Sequence, residues 1–236
     1  MLCEHSIVMN KKPARRAGGE KQKRCDGTQT KKNMRQQKKG KTMKRVLLLG
    51  DSIRMGYDTK VKELLKDEYE VVYSEDNGRF AAYTLWQLNQ YYKNEGKFDL
   101  VHWNNGYWDM NIEAPMKEAI HPLEEYLAVC GRLIRLMKQQ GSKIVYATTT
   151  PIFEDGESLD NTGTGATINY RNEWVLTYNK AACELMEKEN IPVNDLYSLC
   201  LKGPKYYKSE DMLHLTEEGY WAIANQTADC IRKTLG

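Results

Sequence analysis

The chain has 236 residues, of which 41% are hydrophobic, and a formal net charge of +3, enough for one substantial core with an appendage and too little for several domains. The charge is unevenly placed: residues 1–45 hold 15 Lys and Arg against 3 Asp and Glu, whereas the remaining residues hold 20 against 29. No apolar stretch of roughly 7 to 15 residues follows the basic N-terminal residues, as a secretory signal requires, and no run is long enough to span a bilayer, so a cytoplasmic protein with no membrane span is expected.

Segment 1–42 is rich in Lys, Arg, Gln and Gly without an amphipathic period, so it cannot bury enough surface to offset the entropy of ordering and is expected to be a disordered tail. Translation starting at Met43, immediately before the first strand, is an alternative account of the upstream residues. A basic tail can bind nucleic acid, but this one has little aromatic content and no motif, and the body from 43 to 236 is acidic, so nucleic acid is not an expected partner.

Residues 43–57, MKRVLLLGDSIRMGY, predict a short buried strand through Val46–Leu49, a strand-to-helix turn at Gly50, Asp51 and Ser52, and then the opening of a helix. A helix start offers unpaired backbone N–H groups and partial positive charge, both favourable to an oxyanion forming beside that serine. A helix over Lys60–Lys66 and a second strand, Tyr69–Tyr73, follow. The strand runs into the turn-rich Ser74–Arg79, at the strand end where doubly wound sheets place ligand sites. Gly78 reads there as an Asn-Gly turn residue able to present its amide.

A helix over Tyr83–Tyr92 leads to a strand at Asp99–Trp103 and the cluster Asn104, Asn105, Gly106, Tyr107, Trp108, Asp109. Strand alternation sends Asn104 and Asn105 to opposite faces, and Trp108 carries one donor in its indole N–H. A helical pattern from Ala114 to Gln140, broken near Pro122, precedes a strand at Ile144–Ala147. The polar stretch 148–168 has the length of a lid or binding loop. A helix over Tyr170–Asn190 and a strand at Ile191–Asn194 bring the chain to Asp195.

Asp211, Met212, Leu213 and His214 then place a carboxylate three residues before a histidine. That spacing lets the carboxylate hold one imidazole nitrogen and leave the other free as a base, which a serine nucleophile needs at neutral pH. Asp195 is the rival acid. Thr216 is placed to cap a last helix that docks through Tyr220, Ile223, Ala224 and Ile231. Strands alternating with helices throughout argue for a parallel sheet covered on both faces. The six cysteines show no metal spacing and read as reduced thiols.

Through GDSI at Gly50–Ile53 and DMLH at Asp211–His214, the sequence resembles the SGNH, or GDSL, hydrolases from about Lys44 to its end. The resemblance implies a flavodoxin-like three-layer α/β/α sandwich with a parallel sheet of about five strands. It also implies a triad of Ser52, His214 and Asp211 acting on acyl esters, and an oxyanion hole in which the family's second block supplies a glycine amide, here Gly78. The third block departs from the pattern, since Gly-x-Asn-Asp becomes GYWD with Trp108 at the asparagine position. Asn104 is the favoured replacement donor, with Asn105 and Trp108 as alternatives. The expected substrate is a small-molecule ester, acylated carbohydrates included, with no metal or organic cofactor. The competing reading is a catalytically weak domain of the same fold that binds carbohydrate on Trp103, Tyr107 and Trp108.

Overall fold

The computed structural model describes residues 43–113, 116–154, 156–157, 169–208, 211 and 213–236. The expectations for the basic tail, for the helix start at Ala114 and for most of the polar loop beyond residue 157 therefore lie outside the described residues.

Five strands, β1 (Lys44–Leu49), β2 (Tyr69–Tyr73), β3 (Leu100–Trp103), β4 (Lys143–Ala147) and β7 (Val193–Asn194), form one sheet in the order β2-β1-β3-β4-β7, every pair parallel. Val46 through Leu49 are all buried, as an interior strand of a sheet covered on both faces requires. The helices are α1 (Ser52–Leu65), α2 (Ala81–Glu95), α3 (Tyr107–Met110), α4 (Leu123–Gln139), α5 (Asn172–Lys188), α6 (Leu196–Cys200) and α7 (Glu217–Leu235). Helix α1 packs on α7, while α2, α4 and α5 pack side by side, so the sheet is the middle of three layers. A two-strand antiparallel hairpin, β5 (Gly156–Glu157) with β6 (Asn169–Tyr170), lies apart from it.

The strand order reverses at β1: the chain leaves it for β2 on one side and later returns to β3 on the other. The C-terminal ends of β1 and β3 thus flank the crevice where open α/β sheets bind ligands. Four elements differ from the sequence expectation. Residues 116–121 are not helical and α4 begins only after Pro122, whose fixed φ suits a helix entry and not an interior. The strand expected from Ile191 is reduced to Val193–Asn194, and the short α3 and α6 had no periodic signal to announce them. Cys130, Cys183, Cys200 and Cys230 are free thiols within helices. Among the described residues no helix is long and apolar enough to cross a membrane.

Candidate active site

At the C-terminal end of β1, Asp51 caps α1 by accepting from the Ile53 N–H at 3.0 Å. Ser52 is the first helical residue, and its own backbone N–H has no acceptor among the described residues. Burial pushes the Asp51 carboxyl up to about 6, against the opposing pull of the Ile53 N–H and of His214 and Arg54, and its second oxygen has no partner among the described residues.

The Ser52 hydroxyl lies 2.8 Å from Nε2 of His214, and Nδ1 of the same ring lies 2.7 Å from Oδ2 of Asp211. The other Asp211 oxygen accepts from the backbone N–H groups of Leu213 at 3.0 Å and His214 at 2.8 Å, so the aspartate closes its own turn while it orients the imidazole. Desolvation pushes this carboxyl up, but those three hydrogen bonds together outweigh it and hold Asp211 below the usual range. With Nδ1–H donated to Asp211, Nε2 is left to accept the Ser52 proton. The turn is tied down on both sides, through Lys208 N–H to His214 O at 3.1 Å and Thr216 N–H to Tyr206 O at 2.7 Å, and Thr216 caps α7 by accepting from Gly219 at 3.2 Å.

Asp195 lies outside this chain of bonds. It caps α6, accepting from the Ser198 N–H at 3.0 Å and the Ser198 hydroxyl at 2.6 Å.

The expected oxyanion donors are placed differently from the sequence reading. The Gly78 N–H donates to Gly50 O at 2.9 Å, and a Cβ at Gly78 would lie 2.5 Å from that same oxygen. Glycine is therefore required because the β2–α2 loop abuts the Gly50–Ser52 turn, and its amide already has an acceptor. The Asn104 amide nitrogen donates to Ala147 O at 2.8 Å and to the Thr149 hydroxyl at 3.3 Å. Asn105 donates to Arg79 O and to the Thr84 hydroxyl, both at 2.9 Å, and accepts from the Trp103 indole at 2.7 Å. Both asparagines are buried, so their donors are committed to internal acceptors, as buried polar groups must be. Trp108 is half-buried and has no hydrogen-bond partner among the described residues. The stacking surface imagined from three aromatics is likewise not there: Trp103 is 0% and Tyr107 3% exposed, because both lie in the core between sheet and helices.

One buried residue escaped the sequence reading. Arg54, 1% exposed on α1, donates to Asp58 at 2.6 Å, to Ser74 O at 2.6 Å and to Asp76 O at 2.9 Å, clamping the β2–α2 loop against α1. Its signal was the Arg-to-Asp spacing of four on a helix. Arg79 in that loop adopts φ +47°, a left-handed conformation that Asn105 and the stacked Tyr83 hold in place.

No family model matches the chain, and no curated protein does. Solved structures do. A Bacteroides fragilis protein assigned as an acylhydrolase is 24% identical, with a TM-score of 0.65 over 83% of this chain and 90% of that one. A GDSL-like lipase from Bacteroides thetaiotaomicron is 20% identical, with a TM-score of 0.63 over 80% and 88%. A carbohydrate acetylesterase family member from Sinorhizobium meliloti is 18% identical, with a TM-score of 0.63 over 82% of this chain and all 100% of that one. With its five parallel strands between helix layers and these neighbours, the chain has the fold of the SGNH/GDSL hydrolases.

Proposed function

We propose that the protein is a serine esterase that cleaves small acyl esters, O-acetylated carbohydrates among them, through Ser52, His214 and Asp211. The observation that carries this reading is the unbroken chain Asp211–His214–Ser52, with contacts of 2.7 and 2.8 Å, ending on a serine whose N–H is unpaired at a helix start. In the reaction His214 Nε2 takes the Ser52 proton as Oγ attacks the ester carbonyl. Asp211 keeps the ring in the tautomer that can do so and stabilises the imidazolium. The tetrahedral oxyanion is held by the Ser52 N–H and the α1 dipole, with the Trp108 indole N–H as the side-chain donor, since Asn104 and Gly78 donate elsewhere. His214 returns the proton to the departing alkoxide, leaving an acyl-serine. Water, deprotonated by the same nitrogen, then releases the acid and restores Ser52.

The test is turnover of p-nitrophenyl acetate together with labelling by a fluorophosphonate. Wild-type protein labels and turns over, and Ser52→Ala does neither. Equal turnover by both proteins would overturn the proposal.

A further inference from the structure

The outer face of α2 departs from an ordinary solvated helix face, which would carry lysines and glutamates. Trp86, Gln90 and Asn94 follow one another at spacings of four along a single ridge, with Gln87 and Tyr91 beside them. These five residues, with Ser74, Asp76 and Glu95, line a cavity of about 360 Å³, within the range of about 300–1,000 Å³ in which pockets hold small ligands. Trp86 is 55% exposed, the most exposed aromatic ring among the described residues. It is nonetheless held in position. Tyr83 stacks on it with centroids 5.6 Å apart and planes 18° from parallel. The Arg79 guanidinium lies 4.8 Å above Tyr83, and Asp76 accepts from the Tyr83 hydroxyl and pairs with Arg79 at 3.3 Å. An exposed tryptophan pre-ordered by such a stack offers a flat apolar face at little entropic cost.

The polar lining identifies what that face would meet. The side-chain amides of Gln90 and Asn94 have no partner among the described residues. Gln87 is 5% exposed with its carbonyl oxygen buried and without a partner among the described residues. Amides both donate and accept, as hydroxyl groups do. The charged lining is two carboxylates that are already paired, Asp76 with Arg79 at 3.3 Å and Glu95 with Arg45 at 3.0 Å, and no lysine or arginine belongs to the lining to hold a phosphate or other anion. An aromatic plane, bifunctional amides and no cation together suit a neutral polyhydroxylated ring, whose C–H face packs on the indole while its hydroxyls meet the amides.

The loop that lines one end of the cavity also packs on the turn that carries Ser52. Ser74 and Asp76 are the residues whose carbonyls Arg54 of α1 holds, and Gly78, two positions on, donates to Gly50 O beside Ser52. We propose that the α2 cavity is a glycan subsite that holds an uncharged sugar unit of the acylated carbohydrate whose ester is cleaved at Ser52. As a substrate subsite it rests on the esterase reading above; as a sugar-binding site it stands by itself.

Binding is measured by calorimetry on full-length Ser52→Ala protein, with xylohexaose, cellohexaose and chitohexaose as neutral probes and hexagalacturonic acid as the acidic one. At least one neutral hexamer is expected to bind and quench tryptophan fluorescence. Adding Trp86→Ala should weaken it about tenfold or more, at an unchanged thermal midpoint, and Trp86→Tyr should restore most of the loss. The proposal is overturned if none of the three neutral hexamers binds, if Trp86→Ala binds as well as its parent, or if the acidic hexamer binds as tightly as the neutral ones. Wild-type protein that turns over p-nitrophenyl acetate while the hexamers fail to bind would leave the esterase and remove the subsite. Trp86-dependent binding without wild-type turnover would do the reverse.

Discussion

Two polar segments converge on the Gly50–Ser52 turn, Asp211–Leu215 from one side and Asn104–Asp109 from the other, and they spend their hydrogen bonds differently. Asp211 satisfies one carboxylate oxygen on its own turn and turns the other to His214, so that segment carries its function in four consecutive residues. Asn104 and Asn105 give their amides to Ala147, Thr149, Arg79 and Thr84 and so hold the surrounding loops together. Nearness to a site does not make a polar side chain chemically available; what decides is whether its donors and acceptors are already committed.

The difference is sharpened first at Asp211. Asp211→Asn should lower kcat for p-nitrophenyl acetate by about 10³ to 10⁴-fold, because an amide cannot hold His214 in the required tautomer or stabilise its cation. Fluorophosphonate labelling should persist at a reduced rate, since Ser52 itself is intact. A fall smaller than about tenfold would show that His214 is oriented by something else.

Asp51 lies between the two segments and tests the electrostatics of the turn they share. Its native carboxyl titrates near 6 because of burial, above the ordinary 3.8, so between about pH 4 and 6 the folded protein keeps a proton that the unfolded chain has lost. Stability must therefore fall as pH rises through that window. A shift of about two units corresponds to roughly 3 kcal/mol. Asp51→Asn keeps a competent helix cap and removes the titration, so its stability relative to wild type should improve by about that amount between pH 4 and 7 and then level off. Denaturant unfolding at successive pH values measures the difference; a flat difference would mean that Asp51 is ionised throughout.

How much of this was legible depended on range. The buried run Val46–Leu49, the turn to Ser52 and the three-residue step from Asp211 to His214 are local patterns, so the parallel sheet and the residues that meet in the site could be read from the chain. What Asn104 and Gly78 do depends on partners more than 25 residues away in sequence, Ala147 and Gly50, and no spacing rule reports that. Alternation placed Asn104 and Asn105 on opposite faces but could not say that both faces were already supplied with acceptors. Arg54 had a local signal in its pairing with Asp58, but the carbonyl partners at Ser74 and Asp76 that make it a clamp lie across the β2 crossover.

The third-block departure gives the next test. Trp108→Phe removes the indole N–H together with part of a half-buried ring, and should lower kcat about 100-fold with little change in KM if that donor meets charge present only in the transition state. Asn104→Ala leaves Ala147 O and the Thr149 hydroxyl without their donor, so its loss should appear chiefly in stability, about 1–3 kcal/mol by denaturant unfolding. The reverse pattern, with Asn104→Ala slow but stable and Trp108→Phe unaffected, would mean that Asn104 swings out of its internal bonds to meet the oxyanion.

The smallest effect is expected at Asp195, the acid that competed with Asp211 on sequence alone. Both aspartates stand at turns and both accept from a backbone N–H three residues on, His214 for one and Ser198 for the other. The distinction lies in the second oxygen, which reaches an imidazole in Asp211 and the Ser198 hydroxyl, at 2.6 Å, in Asp195. Asp195→Asn keeps Oδ1 as the α6 cap, and the serine hydroxyl can rotate to accept from the new amide instead of donating. The cost should therefore stay below about 1 kcal/mol of stability, and turnover of p-nitrophenyl acetate should stay within about twofold of wild type. If Asp195→Asn proves more damaging to turnover than Asp211→Asn at equal stability, the acid of the triad has been assigned to the wrong turn.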